Sequence, residues 1–190
     1  IRDRSLPDHE LYNNVLTLGN FLYLSDCKHI GIFIDNSYFV ILAHYAVAMN
    51  NKTLINLNTK LKTGELNYII HDSNTDFIIT EEKYVPILNE LNLNNIKHIL
   101  IVDKNTKLLK IDNKNITDFN DLKQFSSNIY FVEKTNSNKI FQIYYTSGTT
   151  GNPKGVQLTY DNVLKHFLGV TIEMKITDTD IWGHIAPMYH

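Results

Sequence analysis

Leu11, Val15, Leu18 and Leu22 recur at helical spacing, with Asp8 as a candidate N-cap. The pattern then changes to short, mainly apolar runs at 30–34, 54–57, 76–80 and 96–102, each of strand length, the last continuous from Ile99 to Val102. Helical stretches separate them. Ser37 is placed to cap a helix through Met49 that turns Ile41, Leu42, Tyr45 and Ala48 inward. Thr63 is placed to cap a shorter one holding Leu66, Ile69 and Ile70, and a third runs around 81–91. Strands that are apolar on both faces need cover on both faces. The predicted fold class is therefore α/β, a mostly parallel sheet with flanking helices. Its crossovers should be right-handed, and ligands should meet it at the carboxyl ends of the strands.

The rhythm breaks at 103–128, which is polar and rich in Lys and Asn and reads as a surface insertion or loose linker. An edge strand is predicted at 129–132. Alternation at 140–145 leads into a Gly/Ser/Thr-rich stretch, and Val156-Gln157-Leu158 resumes as a strand. Thr159 or Asp161 caps the next helix, which runs through Met174 with Val163, His166, Phe167 and Val170 on one face. Asp178-Thr179-Asp180 then turns into a strand at 181–186 that stops at Pro187. No internal repeat is visible.

Composition narrows the function classes. The chain has 190 residues, 43% hydrophobic and 20% charged, with a net charge of −2. That is enough for one domain with a core. A near-neutral balance argues against nucleic acid or a membrane surface as partner of the whole chain. The longest apolar run, 38–49, is too short to span a bilayer and carries His44. The sequence starts at Ile1 without a signal-peptide pattern, and a cytoplasmic or peripherally membrane-associated location is the expectation. The single cysteine, Cys27, excludes an internal disulfide framework and a Cys-based zinc site. The abundant Asn and Lys read as codon bias.

The stretch from Tyr144 to Val156 carries the chemistry. Three of the eight glycines, Gly148, Gly151 and Gly155, fall within it. Glycines let backbone N–H groups turn toward a ligand. Thr146, Ser147, Thr149 and Thr150 add hydroxyl donors, Lys154 adds one mobile cation, and Pro153 stiffens the loop. Such a loop can cradle a polyanion. It is not a Walker A loop: Pro153 precedes the lysine, Gly155 follows it, and no helix begins there. A ligand-free hairpin turn needs far fewer special positions.

Other residues take plainer readings. Cys27 and His29 lack an oriented base and oxyanion donors. Asp178 and Asp180 are turn residues. Lys104, Lys107, Lys110 and Lys114 form a solvated face. Trp182 and His184 are read as packing, and His44 as a hydrogen-bonded core or interface histidine.

Residues 145–156 fill every position of [FY]-[ST]-S-G-[ST]-T-G-x-P-K-G-V, and the stretch resembles the phosphate loop of adenylate-forming enzymes, the superfamily of acyl-CoA and aryl-CoA ligases, luciferases and peptide-synthetase adenylation domains. Ala186-Pro187-Met188-Tyr189-His190 is similar to the family's second motif, at the acyl and adenylate pocket. Gly31 to Ser37, the helix after it and Leu54 to Asn58 resemble its early strand–helix–strand unit. The resemblance runs from about Leu11 to the last residue, with Asn50-Asn51 standing where the family places a small residue and Gly.

The resemblance implies ATP-dependent activation of a carboxylic acid, a fatty acid in the first instance, to an acyl-adenylate and then a CoA thioester. ATP and Mg²⁺ are the implied cofactors, with coenzyme A as co-substrate and a small-molecule carboxylate as substrate. Thr146, Ser147, Gly148, Thr149, Thr150, Gly151 and Lys154 would bind ATP. Thr150 would approach Mg²⁺, directly or through water. Tyr189 and His190 would line the acyl/adenylate pocket. Residues 1–190 would form part of the large N-terminal AMP-binding domain. About 11–102 is its first βα half, 103–128 a polar insertion, and 129–190 the phosphate loop with the start of the acyl-pocket half. The family's acidic Mg²⁺ ligand, ribose-binding Asp and adenylating Lys match nothing in this sequence, so no catalytic set is complete here and the chain alone is expected to be inactive. The alternatives are an adenylation domain loading a carrier protein, or a non-catalytic nucleotide-binding fragment.

Overall fold

The computed structural model describes residues 8–103, 111, 114–125, 136–146 and 151–189. Seven strands form one sheet: β1 His29–Phe33, β2 Thr53–Asn56, β3 Phe77–Thr80, β4 His98–Ile101, β5 Asn115–Asp118, β6 Ile140–Thr146 and β7 Lys154–Thr159. Their order is β5-β4-β3-β1-β2-β6-β7. Every neighbouring pair is parallel except β6 and β7, which form an antiparallel hairpin.

The strand period of two divides the core into two layers. Ile30, Ile32, Leu54, Phe77, Ile79 and Leu100 face helices α1 (Asp8–Leu24) and α2 (Tyr38–Met49). Phe33, Ile55, Ile78, Ile99, Ile101 and Ile143 face α3 (Thr63–Asp72) and the short α4 (Val85–Leu88). Both faces are apolar because both are covered, which is the parallel α/β arrangement the pattern predicts.

Several local readings change. The predicted helix at 81–91 divides into a 3₁₀ turn, Glu82–Tyr84, and the single turn of α4, with Pro86 inside it. Thr63 is the first residue of α3 rather than its cap, and the Lys62 N–H donates to Glu65 Oε2 at 3.0 Å in half of a capping box. On α2 the buried positions are Val40, Leu42, Ala43, Ala46 and Val47, while Ile41 and Tyr45 are exposed. That helix is apolar all round, so its periodicity cannot choose a face.

Within 103–128, the described residues 114–125 form regular structure rather than a loose linker. β5 extends the parallel sheet beside β4, and a 3₁₀ segment, Phe119–Phe125, buries Leu122 against the α1 layer. One apolar residue per turn suffices at a sheet edge, which is why the composition reads as polar. The predicted edge strand at 129–132 lies outside the described residues.

Helix α5 (Tyr160–Glu173) follows β7. Its cap is Thr159, whose Oγ1 accepts from the Asn162 N–H at 3.1 Å while Asn162 Oδ1 accepts from the Thr159 N–H at 3.0 Å. Tyr160 stacks on Phe141 at 4.7 Å and donates its hydroxyl to the carbonyls of Ala48 and Lys52, fixing the start of α5 against the end of α2. Beyond that anchor α5 has no buried residue, and Leu164, Phe167 and Ile172 are exposed.

The strand predicted at 181–186 does not form. Those residues carry no regular secondary structure, and Ile181 and Ile185 are almost fully exposed. Trp182 is also exposed, so its predicted packing is not made by the described residues. A strand exists only through pairing, and none of the seven described strands pairs with this segment. The Asp178–Asp180 turn does form, with Asp180 Oδ2 accepting from the Thr177 N–H at 2.7 Å.

Candidate active site

Of the sequence-predicted site residues, Thr146, Gly151, Lys154 and Tyr189 are described, and Thr146 stands at the carboxyl end of β6. Thr146 ends β6 and Lys154 opens β7, and the two are register partners at the mouth of the hairpin. Both ends of the loop between them therefore lie at the carboxyl end of β6. Gly151 has φ of 154°, a conformation that L side chains rarely adopt. A Cβ on Gly155 would lie 3.0 Å from both Ile143 Cγ2 and Tyr145 Cζ, so glycine lets the Tyr145 ring cross the hairpin. That ring is tied down by its hydroxyl, which donates to Asp72 Oδ2 at 2.6 Å. Burial, and then Asp72, push the Tyr145 hydroxyl pKa upward and keep it a proton donor.

A cavity of about 140 Å³ opens beside the hairpin, lined by Thr146, Pro153, Tyr189, Asn56, Asn58 and Glu65 among others. The fold thus brings Tyr189 to the loop, although 35 or more residues separate them in sequence. Gly151 and Lys154 are exposed at the same edge. Ser147, Gly148, Thr149, Thr150 and His190 lie outside the described residues.

Two groupings near this edge join residues whose partners the sequence did not indicate. The first centres on Asp35, just beyond β1. It accepts from Thr59 Oγ1 at 2.9 Å, Lys83 Nζ at 2.6 Å and Tyr84 Oη at 2.7 Å, and its own N–H donates to Glu81 Oε2 at 3.1 Å. Burial alone would raise the Asp35 pKa, but the bonds from Lys83, Tyr84 and Thr59 outweigh it and hold the carboxyl below its usual range. The partners come from the loops after β2 and β3, so the cluster joins three strand ends. The signal lay in acids and hydroxyls placed directly after strands.

The second is a polar seam under the site. His44 Nε2 lies 3.3 Å from Asn56 Oδ1, and Gln142 Nε2 lies 3.5 Å from His44 Nδ1. A neutral imidazole protonated on Nε2 suits both contacts. Asn56 and Gln142 are amide side chains beside apolar residues on β2 and β6, and that interruption was the signal. His44 is the hydrogen-bonded histidine the sequence predicts. Burial lowers its pKa below the usual value, against a smaller upward effect of Asn56. The folded pKa is thus below the unfolded one, so the unfolded chain binds more protons as the pH falls. This contribution to stability is complete above about pH 6.5 and is lost as the pH falls toward the lowered folded value. Denaturant unfolding from about pH 7.5 to about 5.5 should show a falling midpoint, and His44→Leu should flatten that part of the profile. An identical slope in the variant would exclude His44 as its source.

A larger groove, about 640 Å³, lies between α2 and α5 and is lined by Ile41, Tyr45, Phe141, Leu164, Phe167 and His184 with others. A further cavity gathers Val163, His166, Phe167 and Val170, so these four do share one face of α5. Cys27 is 1% exposed, and burial raises its pKa, which suits a structural thiol rather than a nucleophile. Among the described residues no helix is long and apolar enough to cross a membrane.

The sequence profile of the AMP-binding enzyme family matches residues 3–190. A 2-succinylbenzoate–CoA ligase of Staphylococcus epidermidis is 26% identical over 186 residues, covering 98% of this chain and 34% of that protein. The corresponding ligase of Oceanobacillus iheyensis is 30% identical over 165 residues, covering 85% and 30%. A medium-chain-fatty-acid–CoA ligase of Ectopseudomonas oleovorans is 24% identical over 153 residues, covering 77% of this chain and 28% of that protein. This chain therefore spans about a third of the length of these curated relatives. Among solved structures, the Vibrio cholerae adenylation domain AlmE, bound to glycyl-adenosine-5'-phosphate, superposes with a TM-score of 0.84 at 18% identity, over 100% of this chain and 37% of that one. The Bacillus subtilis o-succinylbenzoate CoA synthetase, bound to its acyl-adenylate, superposes with a TM-score of 0.75 at 22% identity, over 100% and 36%. A parallel sheet, a glycine-rich hairpin at its carboxyl edge and a profile match over nearly the whole sequence agree: the chain belongs to the AMP-binding enzyme family.

Proposed function

We propose that the protein carrying this chain joins a carboxylic acid to coenzyme A through an acyl-adenylate. The carboxylate oxygen attacks the α-phosphorus of ATP and pyrophosphate leaves. The thiol then attacks the acyl carbon and AMP leaves. The observation that carries this reading is the convergence of the hairpin loop and Tyr189 on one cavity at the carboxyl edge of the sheet. The first step gathers negative charge on phosphate oxygens, and the loop's backbone N–H groups, its hydroxyls and Lys154 are the donors such charge requires. Thr146, Ser147, Gly148, Thr149, Thr150 and Gly151 would hold the phosphates. Tyr189 and His190 would border the acyl group.

Magnesium suits this donor set through the phosphates. Described carboxylates at the strand ends and the hairpin are engaged elsewhere: Asp35 with Lys83, Tyr84 and Thr59, Glu65 with the Lys62 N–H, and Asp72 with Tyr145. That leaves the loop hydroxyls, Thr150 first, to approach the ion, which usually keeps several waters. Bound there, it would supply charge neutralisation.

For the acid, we favour an aromatic carboxylate of the succinylbenzoate type over the fatty acid expected first, because 2-succinylbenzoate–CoA ligases recur among the relatives. ATP–pyrophosphate exchange and CoA-thioester formation by the full-length gene product, run with 2-succinylbenzoate and with medium-chain fatty acids, test both levels. Faster exchange with the aromatic acid is expected. Preference for the fatty acid would reverse the substrate assignment, and exchange with no acid would refute the function. Residues 1–190 expressed alone should give no exchange, and carboxylate-dependent exchange by them would contradict that.

A further inference from the structure

The turn after β1 reaches a segment at the far end of the sequence. Asn36 Nδ2 donates to the Ala186 carbonyl at 2.7 Å, and Asn36 Oδ1 accepts from the Met188 N–H at 2.7 Å. One carboxamide therefore takes a backbone group on each side of Pro187. Both distances lie at the short end of the N–H···O range. Proline has no N–H, so a strand paired along this stretch would lose a donor at its centre. A side-chain amide carries one acceptor and two donors in a single plane, and it fits the gap.

Ile181 is 100% exposed and Ile185 93%. Met188 packs against the α1/α2 layer and His184 lines the larger groove. Asn36, by contrast, sits on a fixed base. Its neighbour Asp35 is held by three side chains and by Glu81, from the loops after β2 and β3. Helices α2 and α4, which follow the adjacent strands β1 and β3, pack on opposite faces of the sheet. Asn36 thus stands where the chain diverges to both faces, the usual position of a ligand crevice in such sheets. Tyr189 follows the clamped Met188 directly and lines the cavity with Thr146 and Pro153.

Resting on the function proposed above, we infer that Asn36 is a positioning residue for adenylation: it fixes the Ala186–Met188 backbone and so sets where Tyr189 stands relative to Thr146 and Pro153 at the ends of the hairpin loop. It touches no reacting atom. Its effect is on alignment at the acid end of the site, and the ATP end is held independently by the β6–β7 hairpin.

Asn36→Ala and Asn36→Asp in the full-length gene product test this. The alanine removes both bonds, whereas the aspartate keeps the acceptor for Met188 and loses the donor to Ala186. Misplacing reacting groups by about 1 Å costs on the order of 100-fold, so kcat for acid-dependent exchange should fall about 10- to 100-fold in Asn36→Ala and less in Asn36→Asp. The KM for the acid should rise while the KM for ATP stays within about 2-fold. Hydrogen exchange read on peptides covering 186–190 should be faster in Asn36→Ala than in wild type. Equal exchange in the two proteins, or unchanged kcat and acid KM, overturns the proposal. A parallel rise in both KM values with a lowered unfolding midpoint also overturns it, because that is the signature of a general structural role. If wild type itself exchanges with no acid, the proposed function fails, and the hydrogen-exchange comparison still decides the clamp.

Discussion

Lys154→Ala in the full-length gene product is expected to lower ATP–pyrophosphate exchange about 100-fold, with no change in the unfolding midpoint. The two halves of that expectation have separate physical grounds. Lys154 is the first residue of β7, exposed, and among the described residues it has no ion pair that its loss would break. Its backbone remains available to the Thr146 register, so the hairpin survives. The side chain is a mobile cation at the mouth of a loop proposed to hold phosphates. Hydrogen bonds to charged groups contribute about 1.5–3 kcal/mol, and losing one transition-state donor typically costs 10²- to 10³-fold. Lys154→Arg should recover part of the rate, because the charge is kept while the compact ammonium is replaced by a planar fork. Exchange at the wild-type rate in Lys154→Ala would remove the phosphate role from this residue.

The largest stability effect is expected at Phe77→Ala, with a loss of about 3–5 kcal/mol. Phe77 is fully buried on β3, next to the central strand, where Ile30 on β1 and His98 on β4 are its register partners. Its ring meets Phe21 edge-on at 6.0 Å and lies 6.0 Å from the His98 ring. Truncation opens a cavity between the sheet and α1 that flanking strands, fixed by their ladders, cannot collapse to fill. Phe77→Leu should cost markedly less. Denaturant unfolding should show a lower midpoint with an unchanged slope. A loss below about 1 kcal/mol would mean that the α1 layer repacks freely.

Legibility in the sequence followed the range of the forces involved. The strands β1 to β4 could be read because each is largely apolar on both faces and alternates with helical stretches, the pattern of a parallel sheet covered on both sides. The hairpin was readable because its demands are local: glycine at 151 and 155, a lysine and a proline between two short strands. The cap at Thr159 is equally local. The face of α2 was not readable, since an all-apolar helix carries no period to orient it. Nor was the unpaired state of 181–186, because alternation signals the capacity to pair and says nothing about whether a partner is present. β5 was hidden for a related reason, its neighbour β4 supplying the ladder that its own polar residues do not announce.

The sequence by itself therefore determined the α/β class and the family resemblance, both of which depend on residue types and spacings that are local within each element or motif. Only the tertiary structure decided which distant residues meet. The Asp35 cluster joins the ends of three strands, the His44–Asn56–Gln142 seam joins a helix to two strands, and Asn36 meets Ala186 and Met188 across 150 residues of chain. Such contacts are set by strand order and register. A polar side chain that needs a distant partner looks, in one dimension, the same as one that needs only water.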